Sequence, residues 1–478
     1  MSGNLPRWLP LALIALVALW LRTHDLGRRP MHADEANQAV KTGVLLESGT
    51  YAFDPHDHHG PTLYYAALPI AWLRGEHSLA TLTEITVRLV PALAGTLGVL
   101  LLAWLAAPLG RLTSTMAAVF LAVAPPAVYF SRYFIQETLL VTFSLSAFWC
   151  AQQWWRRGQL RWALALGGSI GLILSTKASA PLFLFAALVA ALAIRPGLPA
   201  SREPARAIAT ALLTALLVAI AFYSSFGTHF AGLRDALSVY TFAAERATGA
   251  SGHEKPWWYY LEIFSWRRDG GLLFQQAAFC LAAVAGLVAC FIKRQKLLRW
   301  AALYTVFVLL SLSLTPYKTP WHVIHLVPGI AILAAGGIAL CRRRWIVLAV
   351  AAVVATLQVE QTKLAAFLRS SDARNPYAYV HSSPDVLKFR GLVESALQQP
   401  GNGVVRVISE EYWPLPWYLR GLPRIGFWSA PPADCDGALV ITSATQADAV
   451  RSALHGPYRE SFLGLRPGFL CVVFSRVP

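Results

Sequence analysis

Leu9-Pro10-Leu11-Ala12-Leu13-Ile14-Ala15-Leu16-Val17-Ala18-Leu19-Trp20-Leu21 is an unbroken apolar run, and the polar stretch His32-Ala33-Asp34-Glu35-Ala36 follows shortly after it. Runs of this kind recur along the chain and decide its fold class. Of 478 residues, 56% are hydrophobic and 14% charged, with a mean hydropathy of +0.48. A single soluble core stops growing well below this size, so apolar surface on this scale needs a bilayer. Stretches near 8–22, 85–107, 113–130, 138–154, 161–176, 179–194, 206–223, 271–292, 298–314, 321–340 and 345–359 read as spans, about eleven in all. No small-residue cleavage site follows the first run, which is therefore read as an uncleaved helix.

The net charge of +16 sits in short loops: Arg156, Arg157 and Arg161; Arg195, Arg202 and Arg206; Lys293, Arg294, Lys296 and Arg299; Arg342, Arg343 and Arg344. Short loops rich in Lys and Arg mark the cytoplasmic side, so the charge reports topology and points to no nucleic-acid partner. The expectation is a multi-pass protein of the cytoplasmic (inner) membrane. Its unusual polar segments then fall outside: the long first loop 23–84, the turn 132–137, the loop 224–270, the turn 315–320 and the tail. Residues 1–359 form the transmembrane domain. Residues 360–478 read as a small extracytoplasmic α/β domain, with strands at Val404–Ile408, Ala438–Thr442 and Cys471–Phe474 and helices at Pro384–Leu397 and Gln446–Leu454. In the outer loop, Glu35–Leu46 and Pro61–Trp72 read as helices lying along the interface. Cys435 and Cys471 are the only cysteine pair in the tail, which leaves a disulfide open.

Ionisable groups beside hydrocarbon are costly, and chemistry or ion binding is their usual reason. Asp34 and Glu35 can be first-turn acids favoured by a helix dipole. They can equally be a general base and a second carboxylate that orients it. Asp54-Pro55-His56-Asp57-His58-His59-Gly60-Pro61 adds metal ligands or phosphate donors, in a spacing that fits no closed zinc motif. Arg132 with Glu137, and Lys318 with His322, bring cations and an acid to two outer turns, a combination suited to a phosphate leaving group and a divalent metal. Trp257, Trp258, Tyr259 and Tyr260 read as an aromatic belt at headgroup depth or as a lid over a site.

This ordered set resembles the GT-C superfamily of membrane glycosyltransferases, in the branch of protein O-mannosyltransferases and the lipid A aminoarabinose transferase. It is most similar to the flippase-activity-associated family. The matching pieces are His32–Ala36, Asp54-Pro55 with His59-Gly60-Pro61, and Tyr317-Lys318-Thr319-Pro320-Trp321. Val380-His381-Ser382-Ser383-Pro384-Asp385 and Tyr412-Trp413-Pro414-Leu415-Pro416-Trp417-Tyr418 extend the match into the tail. The resemblance implies a polytopic α-helical, GT-C-like membrane protein with a C-terminal extracytoplasmic α/β domain. It implies an inverting transferase that moves a sugar from a polyprenyl-phosphate donor to a protein, lipid or glycan acceptor among membrane lipids. Asp34 matches the catalytic carboxylate, with Glu35 beside it. Glu137 matches a second acid that helps hold a divalent metal, joined by His59 and Asp57, although many members carry Asp there. Arg132, Lys318 and His322 are the expected phosphate contacts. His56, Trp257, Trp258 and Tyr259 are expected at the acceptor or in a lid. The rival reading is a lipid-linked sugar transporter, or a flippase-associated protein that breaks no bond. One-sided placement of the polar residues favours the enzyme, since transporters gather them near mid-bilayer.

Overall fold

Apolar helices dominate the computed structural model, which describes residues 8–56, 59–195, 197–248, 252–399 and 403–477. The chain packs as two compact units: residues 1–24, 50–67 and 88–370 make one, and residues 25–49, 68–87 and 371–478 the other. The boundary expected at 359/360 therefore differs from the packing, because two segments of the first outer loop join the tail.

In the first unit the tertiary fold cuts several expected spans short. Among the described residues four helices are long and apolar enough to cross a bilayer: Glu84–Leu109, Pro204–Tyr223, Lys296–Leu314 and Arg344–Leu368. Seven shorter apolar helices accompany them. The span expected over 113–130 is two helices, Arg111–Val123 and Pro125–Phe130. Ala124 between them is extended, because a residue before proline is driven out of the helical region. The span expected over 321–340 is likewise a 3₁₀ turn, Pro320–His325, followed by the helix Val327–Ile338. The loop expected over 224–270 carries the helices Ala231–Thr248 and Tyr259–Ser265. A hairpin follows, β1 (Trp266–Asp269) with β2 (Leu272–Gln275), so that the next helix begins at Ala277. Ala277–Lys293 and Val327–Ile338 pack closely. A Cβ at Gly286 would run into the Leu333 carbonyl, the small-residue contact by which membrane helices approach.

Pro125 and Pro126 have a further consequence. The carbonyls of Leu121 and Ala122 would accept from the residues four positions on, and both of those are prolines without an N–H. Arg22 supplies the missing donors: Nη2 donates to Leu121 O at 3.2 Å and Nη1 to Ala122 O at 2.9 Å. Its side chain is almost wholly buried. The helix Leu9–Thr23 is thereby fixed to the broken one.

The second unit is built on a five-stranded mixed sheet. Its strands are β3 (Val405–Ile408), β4 (Ile425–Trp428), β5 (Leu439–Ser443), β6 (Tyr458–Arg466) and β7 (Phe469–Arg476), in the order β4-β3-β5-β7-β6. β3 runs parallel to β4 and β5, whereas β7 is antiparallel to β5 and β6. The sequence signalled β3, β5 and β7, the three inner strands. It did not signal the edges β4 and β6, whose residues are mostly half-exposed or exposed. Cys435 and Cys471 are separate thiols. Cys435 packs with Val440, Val472 and Phe474, and the alternation along β7 turns Cys471 to the opposite face.

Replacing Arg22 with Leu is expected to strand two buried carbonyls, each worth about 1–3 kcal/mol. The melting temperature in detergent should fall by several degrees. Adding Pro125→Ala and Pro126→Ala, which restores the N–H donors, should make that loss smaller than it is in the parent protein.

Candidate functional site

In the second unit the helix Ala33–Ser48 begins with a capping box whose cap is a histidine. The Asp34 N–H donates to His32 Nδ1 at 3.0 Å, and the His32 N–H donates to Glu35 Oε2 at 3.2 Å. Arg29 Nη2 stands 3.6 Å from the same Glu35 oxygen. Because a backbone N–H can only donate, Nδ1 is the unprotonated nitrogen. His32 Nε2 then carries the hydrogen towards the Tyr379 carbonyl, 3.1 Å away. Burial is the main influence on the imidazole and lowers its pKa, with Asp34 and Glu35 pulling it partly back.

The tail clamps the residues just before this cap. Tyr418 Oη accepts from the Met31 N–H at 2.7 Å, Ser382 Oγ donates to Met31 O at 2.7 Å, and His381 Nε2 lies 3.2 Å from Pro30 O. The two tail phrases singled out in the sequence thus hold the start of this helix. Glu35 is fully buried in its cap, while the Asp34 side chain is 51% exposed. Of the two acids expected to be catalytic, Asp34 is presented to its surroundings and Glu35 fixes the turn that presents it.

The first unit holds a separate cluster. Glu137 opens the helix Glu137–Arg157, is buried, and forms an ion pair with Lys177 from the turn after Leu160–Leu174. That turn is stitched to the His59-Gly60-Pro61 segment: the Gly60 N–H donates to Thr176 O at 3.1 Å and the Thr62 N–H to Ser175 O at 3.3 Å. A Cβ at Gly60 would collide with the Ser175 carbonyl, so the approach demands glycine. His322 sits near enough to Lys177, His325 and His59 for their charges to act on it. Its Nδ1 lies 3.3 Å from Thr319 Oγ1 and 3.4 Å from Tyr260 Oη. His325 stacks on Phe183 with ring centroids 3.9 Å apart, and its buried Nε2 has no partner among the described residues.

Glu137, His59 and His322 are thus gathered into one neighbourhood, together with Lys177, His325 and Tyr260. The site reading of the sequence passed over Lys177 and His325 and had Tyr260 only as part of an aromatic belt or lid. Lys177, a lone cation between two apolar runs, carried the clearest signal. Among the described residues no group of three or more His, Cys, Asp or Glu comes together to hold a divalent metal, and Glu137 already faces an ammonium. Asp57 lies outside the described residues.

Arg132 and Lys318 serve other contacts. Arg132 Nη1 donates to carbonyls at the end of the first helix, Leu21 O at 3.2 Å and His24 O among them, and its guanidinium lies over Phe367. Buried Lys318 donates from Nζ to Lys255 O at 3.1 Å and to Thr315 O. It ties the 315–319 turn to residues 253–255. Trp257 and Trp258 are exposed, as an interfacial belt requires. His56 is exposed and meets the Phe242 ring.

The family model described as dolichyl-phosphate-mannose-protein mannosyltransferase matches residues 12–196. No sequence among curated proteins matches this one. In structure the chain is similar to ArnT from Cupriavidus metallidurans bound to undecaprenyl phosphate, with a TM-score of 0.71, 14% identity and 97% of each chain covered. It is also similar to the oligosaccharyltransferase AglB from Archaeoglobus fulgidus in complex with an inhibitory peptide and a dolichol-phosphate. There the TM-score is 0.59 and the identity 12%, over 95% of this chain and 72% of that one. The same archaeal enzyme has been crystallised with zinc and sulfate. The fold is that of the GT-C glycosyltransferases, as the motifs implied.

Removing the cap with His32→Ala is expected to cost about 1 kcal/mol, and His32→Asn should restore most of it. The His32 pKa is lowered in the folded state, so the unfolded chain takes the proton first. The cap's contribution is complete above about pH 6.5 and erodes as pH falls through the folded-state value. Melting curves from about pH 5 to 8 should show this slope in the parent protein and a flatter one in His32→Asn.

Proposed function

We propose that this protein is a membrane glycosyltransferase that moves a sugar from a polyprenyl-phosphate donor to an acceptor hydroxyl on the extracytoplasmic face. The fold supports the reaction class, because ArnT and AglB have been captured with undecaprenyl phosphate and dolichol-phosphate respectively. The observation that carries the assignment is Asp34, a half-exposed carboxylate on a helix start that is fixed by its own cap and by the tail. A rigid, accessible acid of this kind is what a general base requires.

In the proposed step the acceptor oxygen attacks the anomeric carbon and Asp34 takes its proton. The bond from that carbon to the phosphate oxygen breaks, and polyprenyl phosphate leaves with the bonding pair. One displacement inverts the anomeric configuration. Glu35 is a positioning residue, since its carboxylate is spent on the His32 N–H and Arg29. The resemblance alone puts the departing phosphate at Lys318, a buried lysine of the first unit whose Nζ donates to Lys255 O and Thr315 O. Glu137 balances Lys177.

With a radiolabelled polyprenyl-phosphate sugar in proteoliposomes, this reading expects free polyprenyl phosphate and a glycosylated product. Movement of intact lipid without cleavage would instead make the protein a transporter. Asp34→Asn should lower transfer by about 10²–10⁴-fold with an unchanged melting curve. Parent-like rates in that variant would remove Asp34 as the base. Lys318→Ala should weaken donor use by about 10²-fold, and an unchanged donor titration would take Lys318 out of the phosphate site.

A further inference from the structure

One nitrogen of the second unit, His32 Nδ1, faces both the backbone N–H and the carboxylate of Asp34. It accepts the N–H at 3.0 Å and lies 3.9 Å from Asp34 Oδ2. The second distance is too long for a hydrogen bond. On the far side of the ring Nε2 is 3.1 Å from the Tyr379 carbonyl. An N–H only donates and a carbonyl only accepts, so the neutral ring with its hydrogen on Nε2 is the one form that satisfies both.

The tail keeps the ring in this orientation. Between Tyr379 and His381 lies Val380, whose φ is 48°, a left-handed backbone that a β-branched residue adopts only where its surroundings enforce it. The bend presents the Tyr379 carbonyl to His32. His381 faces the ring from the same segment, with Nε2 3.2 Å from Pro30 O and ring centroids 5.7 Å apart. The charged groups acting on His32 are Asp34, Glu35 and Arg29. Glu35 Oε2 is taken by the His32 N–H, with Arg29 3.6 Å away. Asp34 is the acid left half-exposed. Burial holds the imidazole pKa below its ordinary value, so the ring is neutral at about pH 7 and gains a proton only as the pH falls.

We infer that His32 is a positioning residue that governs the base Asp34 through its own proton. The inference rests on Asp34 as the base of the proposed transfer. In the neutral ring Nδ1 holds the Asp34 N–H and leaves the carboxylate to the acceptor hydroxyl. A proton added at Nδ1 sets two N–H donors against each other across 3.0 Å, and the cap opens. The new N–H turns to Asp34 Oδ2, closing from 3.9 Å to about 2.8 Å, the length of a charge-assisted hydrogen bond. A carboxylate paired in this way is a weaker base and is no longer open to the acceptor. Acid thus withdraws the base without protonating it. An asparagine cap holds the same N–H but has no proton to gain.

The test pairs an NMR titration of the full chain, labelled at histidine, with the pH profile of transfer. The ring signal missing from His32→Asn identifies His32. Asp34→Asn should lower the pKa of that signal by at least about 0.5, because the imidazolium loses its carboxylate. Between about pH 7.5 and 4.5 the parent protein's kcat/KM should fall at least about fivefold further than that of His32→Asn. A His32 pKa that does not move in Asp34→Asn, or equal falls in the two proteins, would overturn the inference. A lowered pKa in a protein that transfers no sugar would support the coupling of His32 to Asp34 and overturn only the assignment of the base.

Discussion

A histidine hydrogen bond at a helix start is the constraint on which the functional account depends. His32 Nδ1 accepts the Asp34 N–H, and Glu35 returns a carboxylate to the His32 N–H. This fixes the backbone on both sides of Asp34 and leaves its carboxylate half-exposed, 3.9 Å from His32 Nδ1. A serine or aspartate would cap the helix equally well. The imidazole adds reach, because its second nitrogen extends to the Tyr379 carbonyl. The turn carrying the acid is therefore anchored to a segment hundreds of positions later in the chain.

The tail accordingly does more than form a separate sheet domain. Tyr418 and Ser382 close on Met31, and Trp417 Nε1 donates to Glu84 Oε1 at 2.7 Å. Arg420 lies over the Trp417 ring and donates to Leu82 O. Segments 25–49 and 68–87 of the outer loop thus acquire their shape from residues of the tail. Buried hydrogen bonds of this kind are costly to leave half-made, which accounts for a loop of such length being ordered. The first unit uses the same logic, with Arg22 replacing the donors that Pro125 and Pro126 lack.

Composition and periodicity made the class of fold legible, and the ordered motifs made the GT-C resemblance legible. What escaped the sequence depends on proximity. Lys177 is visible as a lone cation between two apolar runs, but nothing in the chain says that Glu137 pairs with it and not with a metal. Tyr260 lay in the aromatic run, yet only the fold distinguishes it, buried beside His322, from exposed Trp257 and Trp258. Of the edge strands, β6 carries Arg459, Glu460 and Ser461 on an exposed stretch and so lacks an inner strand's apolar run, and β4 is only four residues long and half-buried. Cys435 and Cys471 lie in the same unit, but sheet alternation puts them on opposite faces, which sequence spacing does not reveal.

The central claim is that one rigidly held carboxylate, acting as base, drives a single displacement at the anomeric carbon. Its most direct test is the anomeric configuration of the product, read by NMR after transfer from a polyprenyl-phosphate sugar of known configuration. The account predicts a product of opposite configuration to the donor. A product of retained configuration would require two displacements and a covalent intermediate, and would contradict it.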